Sequence, residues 1–252
     1  MKVKGISSRK LEKAESKENS FAPSAEEEPT QEELEENYMD LITKDLLAQH
    51  SLNLSSQNLS YISKQIKLGP KRKSKTLILD LDETLIGFKY GSSGIEIKLR
   101  PHARKVLKKL KAYFDIMLFT ASTQEFANPI IDLVDPDNAI FRKRFFRDSC
   151  VLCSRSGVGG VGGGSSVSWF VKDLRIFSDR RFAEMIIVDN SVLSFAFQIN
   201  NGVPIIPYIG QRNDEEMLTL FKFLVSLKDS DDVRDQIKKA FKLEERFNQL
   251  AP

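Results

Sequence analysis

Asp80 and Asp82 stand two residues apart in K-T-L-I-L-D-L-D-E-T-L, Lys75 to Leu85, ending an apolar run that reads as a buried strand. Packing has no use for them there. An isolated carboxylate is costly to take out of water unless a cation, a proton or hydrogen-bond donors compensate it. The pair therefore points to a bound cation and to chemistry. Along an extended strand, positions i and i+2 lie roughly 6 to 7 Å apart, so one carboxylate can face a phosphorus atom while the other reaches the leaving oxygen opposite. In-line phosphoryl transfer needs that arrangement. Asp80 would attack and form an aspartyl-phosphate, and Asp82 would protonate the departing alkoxide and then activate the water that hydrolyses the intermediate. A carboxylate approaching a phosphate dianion is repelled. Mg²⁺, a hard cation that accepts few protein ligands together with phosphate and water, is the natural counter-charge, with Asp80 and Asn190 as candidate side-chain ligands. A calcium loop also opens Asp-x-Asp, but Leu85 occupies the place of its turn glycine, which excludes that reading.

Holding such groups takes a scaffold of strands and helices. Thr76 to Leu81 reads as a strand, and Pro101 to Phe114 as a helix with Pro101 at its first position and Val106, Leu107 and Leu110 on one face. Asp115 to Phe119 is a second strand, followed by Thr120-Ala121-Ser122 and a helix from Gln124 to Val134 for which Ser122 is the expected N-cap. Met185 to Val188 is a third strand, ending in Asp189-Asn190-Ser191, and Val203 to Ile206 a fourth. Glu215 to Leu227 and a helix capped by Ser230, with Val233, Ile237 and Phe241 every fourth residue, complete the pattern. Short apolar strands alternating with helices predict a parallel α/β sheet with crossover helices. Three polar sets, Asp80/Asp82, Thr120/Ser122 and Asp189/Asn190, then fall at the carboxyl ends of strands, the edge where open α/β sheets bind ligands.

The chain has 252 residues with 38 basic and 35 acidic side chains, a net charge of +3. That near-balance gives no support to a nucleic-acid or membrane partner. No window approaches the roughly 18 apolar residues of a membrane span, and Met1 to Lys17 is too charged for a secretory signal. A soluble intracellular protein, nuclear or cytoplasmic, is expected. The two cysteines, Cys150 and Cys153, are too close in sequence for an ordinary disulfide framework, and a zinc site there would have to recruit His50 or His102 from distant segments. Residues 1–70 form an acidic and polar tail expected to be largely disordered. Within it, Tyr38 to Leu47 has helical spacing and reads either as a docking helix, for a partner or for the main domain, or as a transient helix. Lys71 to Lys75 is a basic hinge, either an import signal or a solubilising linker. Gly157 to Gly162 matches G-x-G-x-x-G but lacks the flanking strand and helix of a dinucleotide site, so it reads as part of a flexible loop.

D-L-D-E-T-L, L-F-T-A-S, F-V-K-D-L and I-I-V-D-N-S, in that order, closely resemble the four motifs of the small C-terminal-domain phosphatases of the haloacid dehalogenase superfamily. The resemblance covers about residues 75 to 225. It implies a Rossmann-like core with a parallel central sheet, helices on both faces and no large cap domain. It also implies an Mg²⁺-dependent phosphatase of phosphoserine and phosphothreonine proteins, often acting on the tail repeats of RNA polymerase II. On this chain it makes Asp80 the nucleophile, Asp82 the acid/base and a metal ligand through its carbonyl, and Thr120 a phosphate-binding hydroxyl. Lys172 would neutralise nucleophile and phosphate, and Asp189 and Asn190 would hold the metal. Arg147, in F-F-R-D-S-C, matches an arginine near the substrate phosphate, and Ser122 is a second candidate substrate contact. The domain is expected over residues 71–252, with a Gly/Ser-rich insertion at 154–168 that the family commonly lacks. Two other classes remain: a non-catalytic relative that binds partners, and a small-molecule phosphatase. The short gap from Leu85 to Pro101 leaves no room for a large cap, which favours a protein substrate at an open cleft.

Overall fold

The computed structural model describes residues 29–50, 65–91, 94–155 and 167–250. Residues 1–28 and 51–64 of the expected tail, and 156–166 of the Gly/Ser insertion with Gly157 to Gly162, lie outside the described residues.

Five strands form the central sheet. β1 (Lys75–Leu79) sits at its centre, flanked by β4 (Phe114–Phe119) and β8 (Met185–Asp189), with β5 (Arg144–Phe145) and β9 (Gly202–Pro204) outermost, all parallel. Period-two alternation sends successive side chains to opposite faces. Leu77 and Leu79 of β1, Ile116 and Leu118 of β4, and Ile186 and Val188 of β8 enter one core cluster with α2 (Ala103–Leu110), α3 (Gln124–Val134) and α4 (Glu216–Leu227). Ile78, Met117, Phe119, Met185 and Ile187 enter the other, with α1 (Gln31–His50), the 3₁₀ segment Val192–Asn201 and α6 (Leu243–Gln249). Helical structure therefore covers both faces, and the central strands β1, β4 and β8 are mostly apolar because both their faces are buried, with Lys75, Thr76, Asp115 and Asp189 their polar residues.

The expected strand and helix order holds, with shifted boundaries. Pro101 and His102 make a turn ahead of α2, because His102 adopts a left-handed backbone (φ 63°) that a helix interior excludes. The helix then stops at Leu110, so that β4 begins at Phe114. Ser230 does not cap the helix α5 (Val233–Phe241): Asp232 does, its carboxylate accepting from the Arg234 N–H. Two antiparallel hairpins were not anticipated, β2 (Ile86–Gly91) with β3 (Gly94–Leu99), and β6 (Val151–Arg155) with β7 (Val167–Val171). The first fills the gap between Leu85 and Pro101, and no cap domain stands there. Among the described residues, no helix is long and apolar enough to cross a membrane.

Candidate active site

Asp80 follows β1 directly, and its N–H donates to the Val188 carbonyl of β8 at 3.0 Å, extending the ladder one residue beyond the strand. Asp189 closes β8 alongside it. Lys172 follows β7, where its N–H donates to the Ser194 carbonyl at 2.6 Å. Behind it, Asp173 caps the 3₁₀ turn Leu174–Ile176 and accepts from Gln198. These bonds fix the lysine backbone, and its ammonium donates to Asp80 Oδ1 and Asp189 Oδ2, each at 2.5 Å. Lys172 is only 1% exposed, so the contact is a desolvated ion triad and each charge depends on the others.

Burial pushes the Asp80 carboxyl up to about 8; Asp189 and Asp82 add to the rise, and the Lys172 ammonium opposes it. For Lys172 burial works against the charge, but Asp189 and Asp80 outweigh it and the net shift is upward. One shift favours a neutral Asp80 and the other a charged pair. The close contacts decide for a charged lysine shared between carboxylates, with burial first and the neighbouring carboxylates second lifting Asp80.

Asp82 is held from β4. Thr120 Oγ1 and Ser122 Oγ donate to Asp82 Oδ2 at 3.1 and 2.7 Å, and the Ser122 N–H donates to Thr120 Oγ1 at 3.0 Å. Ser122 is therefore not the N-cap of α3. Thr123 holds that position without a side-chain cap bond, and the Ser122 hydroxyl is engaged by Asp82. The other oxygen, Asp82 Oδ1, is buried and has no hydrogen-bond partner among the described residues. Arg147 reaches the same loop: its N–H donates to the Ser122 carbonyl, its Nε to the Ala121 carbonyl at 2.6 Å, and its guanidinium lies 4.9 Å from the Phe170 ring centre. All eight residues expected at the site thus lie at one edge of the sheet.

The last of these, Asn190, is paired within the site. Asn190 donates to Glu83 Oε2 at 3.0 Å and accepts a long bond from Thr84 Oγ1. Arg100, 1% exposed, donates to both oxygens of Asp214 and to the carbonyls of Thr84 and Ile206, tying the loop after β1 to the loop after β9. Arg100 escaped the sequence reading, since no neighbouring motif marks it; a buried arginine becomes visible only once its partners from distant segments are in place. A groove of about 730 Å³ lined by Arg72, Arg142, Lys143 and Arg144 lies at the β5 edge and includes none of the expected site residues. Side-chain chemistry, not groove size, locates the site.

Among the described residues, no cluster of three or more Asp, Glu, His and Cys side chains is arranged to hold a metal. The donors available at this edge are Asp80, Asp189 and the carboxamide of Asn190. All are hard oxygens, and three carboxylates, counting Asp82, face one ammonium. That donor set and charge excess fit a divalent cation of the magnesium kind that keeps several waters.

Carboxylates and a buried ammonium gathered at the carboxyl edge of a parallel sheet suit the haloacid dehalogenase type of phosphatase. The chain belongs to the NLI interacting factor-like phosphatase family, whose model matches residues 75–234. It is 34% identical over 203 residues to CTD small phosphatase-like protein 2 of Dictyostelium discoideum, covering 73% of this chain and 33% of that one. It is 35% identical over 189 residues to CTD small phosphatase-like protein 3 of Caenorhabditis elegans, covering 68% and 61%. Nuclear envelope morphology protein 1 of Saccharomyces cerevisiae is 32% identical over 227 residues, covering 73% and 48%. The chain thus spans between a third and three fifths of the length of these relatives. A solved structure of the fission yeast RNA polymerase II CTD phosphatase Fcp1 bound to beryllium fluoride aligns with a TM-score of 0.41 and 17% identity over 77% of this chain and 60% of that one.

Proposed function

We propose that this chain is an Mg²⁺-dependent phosphatase of phosphoserine and phosphothreonine proteins, working through an aspartyl-phosphate on Asp80. The observation that carries the reading is the Lys172 ammonium bridging Asp80 and Asp189, with Asp82 two residues on and held by Thr120 and Ser122. An Asp80 oxygen attacks phosphorus as the ester P–O bond breaks, and Asp82 gives its proton to the departing serine or threonine oxygen. Asp82 then takes a proton from the water that attacks the aspartyl-phosphate, releasing phosphate and restoring Asp80. Its buried, unpartnered Oδ1 is the oxygen free to carry that proton. Lys172 offsets the charge of nucleophile and phosphate; Thr120, Ser122 and Arg147 line the phosphate side. Asp80, Asn190 and Asp189, with the Asp82 carbonyl, would hold Mg²⁺, which when bound offsets carboxylate–phosphate repulsion and favours ionised Asp80.

The β2–β3 hairpin in place of a cap supports a protein substrate, and the RNA polymerase II C-terminal domain belongs among the first phosphopeptides to assay. The docked helix α1 and the domain from about residue 71 are taken together as the catalytic unit, in a soluble nuclear or cytoplasmic protein. The purified chain should hydrolyse p-nitrophenyl phosphate with Mg²⁺ and lose turnover as Asp80→Asn. Equal wild-type rates in EDTA and in Mg²⁺ would refute the metal role, and an active Asp80→Asn would refute the nucleophile.

A further inference from the structure

Helix α1 lies outside the family match, which begins at residue 75, yet it packs on the segment that follows Asp189. Tyr38, Ile42 and Leu46 are buried in the core cluster that contains Val192 and Phe195. Beside that apolar stripe runs a polar pair spaced four residues apart, one helical turn. Asp45 Oδ2 accepts from Ser191 Oγ at 2.7 Å and from the Leu193 N–H at 3.2 Å, and Gln49 Nε2 donates to the Ala196 carbonyl at 2.7 Å.

The same short segment also carries bonds to the site. The Ser191 N–H donates to Asp189 Oδ1 at 2.9 Å, and the Ser194 carbonyl accepts from the Lys172 N–H at 2.6 Å. Residues 191–196 are therefore gripped by α1 while they grip Asp189 and Lys172. The segment does not hold its own shape as a regular helix would: Phe195 and Gln198 break it with non-helical backbone angles. Short 3₁₀ pieces with poor internal hydrogen bonding take their geometry from what they pack against.

We propose that α1 is a built-in support of the catalytic site and that Asp45 is a positioning residue, fixing Ser191 and through it the Asp189–Asn190 pair in the geometry that binds the divalent cation. The inference rests on the phosphatase reading above. Partners that orient metal ligands from behind typically change metal affinity or activity by about 10- to 100-fold when removed. Asp45 touches neither substrate nor cation, so its loss acts through the Ser191 hydroxyl and the Leu193 N–H, both left without an acceptor.

Calorimetric titration of the full chain with Mg²⁺, run beside p-nitrophenyl phosphate hydrolysis as a function of Mg²⁺, tests it. Asp45→Ala is expected to weaken Mg²⁺ binding about tenfold and to raise the Mg²⁺ concentration for half-maximal rate in parallel. Asp45→Asn, which keeps an acceptor oxygen, should stay within about twofold of wild type. Ser191→Ala removes the same bond from the other side and should weaken Mg²⁺ binding like Asp45→Ala, which keeps the test open if that variant does not fold. Leu46→Ala, which loosens α1 but keeps the Asp45 carboxylate, should melt at lower temperature and, when folded, weaken Mg²⁺ binding less than Asp45→Ala; a larger loss than that of Asp45→Ala would assign the support to the helix and overturn the role of Asp45. Folded Asp45→Ala or Ser191→Ala with wild-type Mg²⁺ affinity would overturn the proposal while leaving the phosphatase reading intact. A wild-type chain that neither binds Mg²⁺ nor turns over substrate would overturn both.

Discussion

Three charged groups at the site are buried against one another. Asp80, Lys172 and Asp189 form a triad whose members would each be costly alone, so removing one strands its partners. That logic made the D-L-D segment legible: carboxylates ending an apolar strand have few explanations other than chemistry. Asp45, Arg100 and Ser191 were not legible, because their meaning is in partners up to 148 residues away, as for Asp45 and Leu193. Cys150 is the contrasting case, a buried group with no charged partner in contact among the described residues. Its Sγ lies 3.9 Å from the Thr120 carbonyl, and burial pushes its pKa up to about 12. Since an unfolded thiol titrates near about 8.5, the folded state keeps this contribution to stability below that pH and loses it as pH rises towards about 12. Iodoacetamide at pH 8 should therefore modify Cys150 in the native chain at least on the order of a hundredfold more slowly than in urea. Mass spectrometry of the digested protein would read this, and equal rates would show the thiol to be accessible and ionisable.

The elements seen in advance were those with a strong period and a buried face. α3 matches its expected span, Gln124 to Val134, and the four expected strands of the central sheet, β9 included, differ from expectation by two residues or fewer at either end. β5 has two residues, too few to show any period, and β3 is exposed or half-buried throughout: Ile97 and Leu99 pack against the core while Ile95 is exposed, so its alternation G-I-E-I-K-L is only partly matched by burial. The helix expected over Tyr38 to Leu47 is longer, Gln31–His50, and its buried side is held by the domain's own core. If α1 belongs to the folded unit, Leu46, 1% exposed, is a core residue like any other, and Leu46→Ala should cost about 2–5 kcal/mol of stability. Urea unfolding followed by circular dichroism would measure this. A change below about 0.5 kcal/mol, the range of ordinary surface substitutions, would mean the helix does not dock in solution.

Taken whole, the molecule brings residues 80, 82, 120, 122, 147, 189 and 190 to one sheet edge by parallel strand order, adds Lys172 from the end of the antiparallel β6–β7 pair, and then locks that edge with Arg100, which joins the loops after β1 and β9 through Thr84, Ile206 and Asp214. The order of strands and their polar ends could be inferred from the chain alone, since a parallel sheet places all carboxyl ends together. The locking contacts could not, since they link loops without periodic pattern. The central claim is a covalent one: phosphate passes through Asp80. Rapid mixing of the chain with a radiolabelled phosphopeptide and Mg²⁺, followed by acid quench and peptide mapping, tests it directly. The account predicts a hydroxylamine-labile phosphoryl group on the peptide containing Asp80, absent from Asp80→Asn. Steady turnover by wild type with no label on that peptide at any mixing time would contradict it.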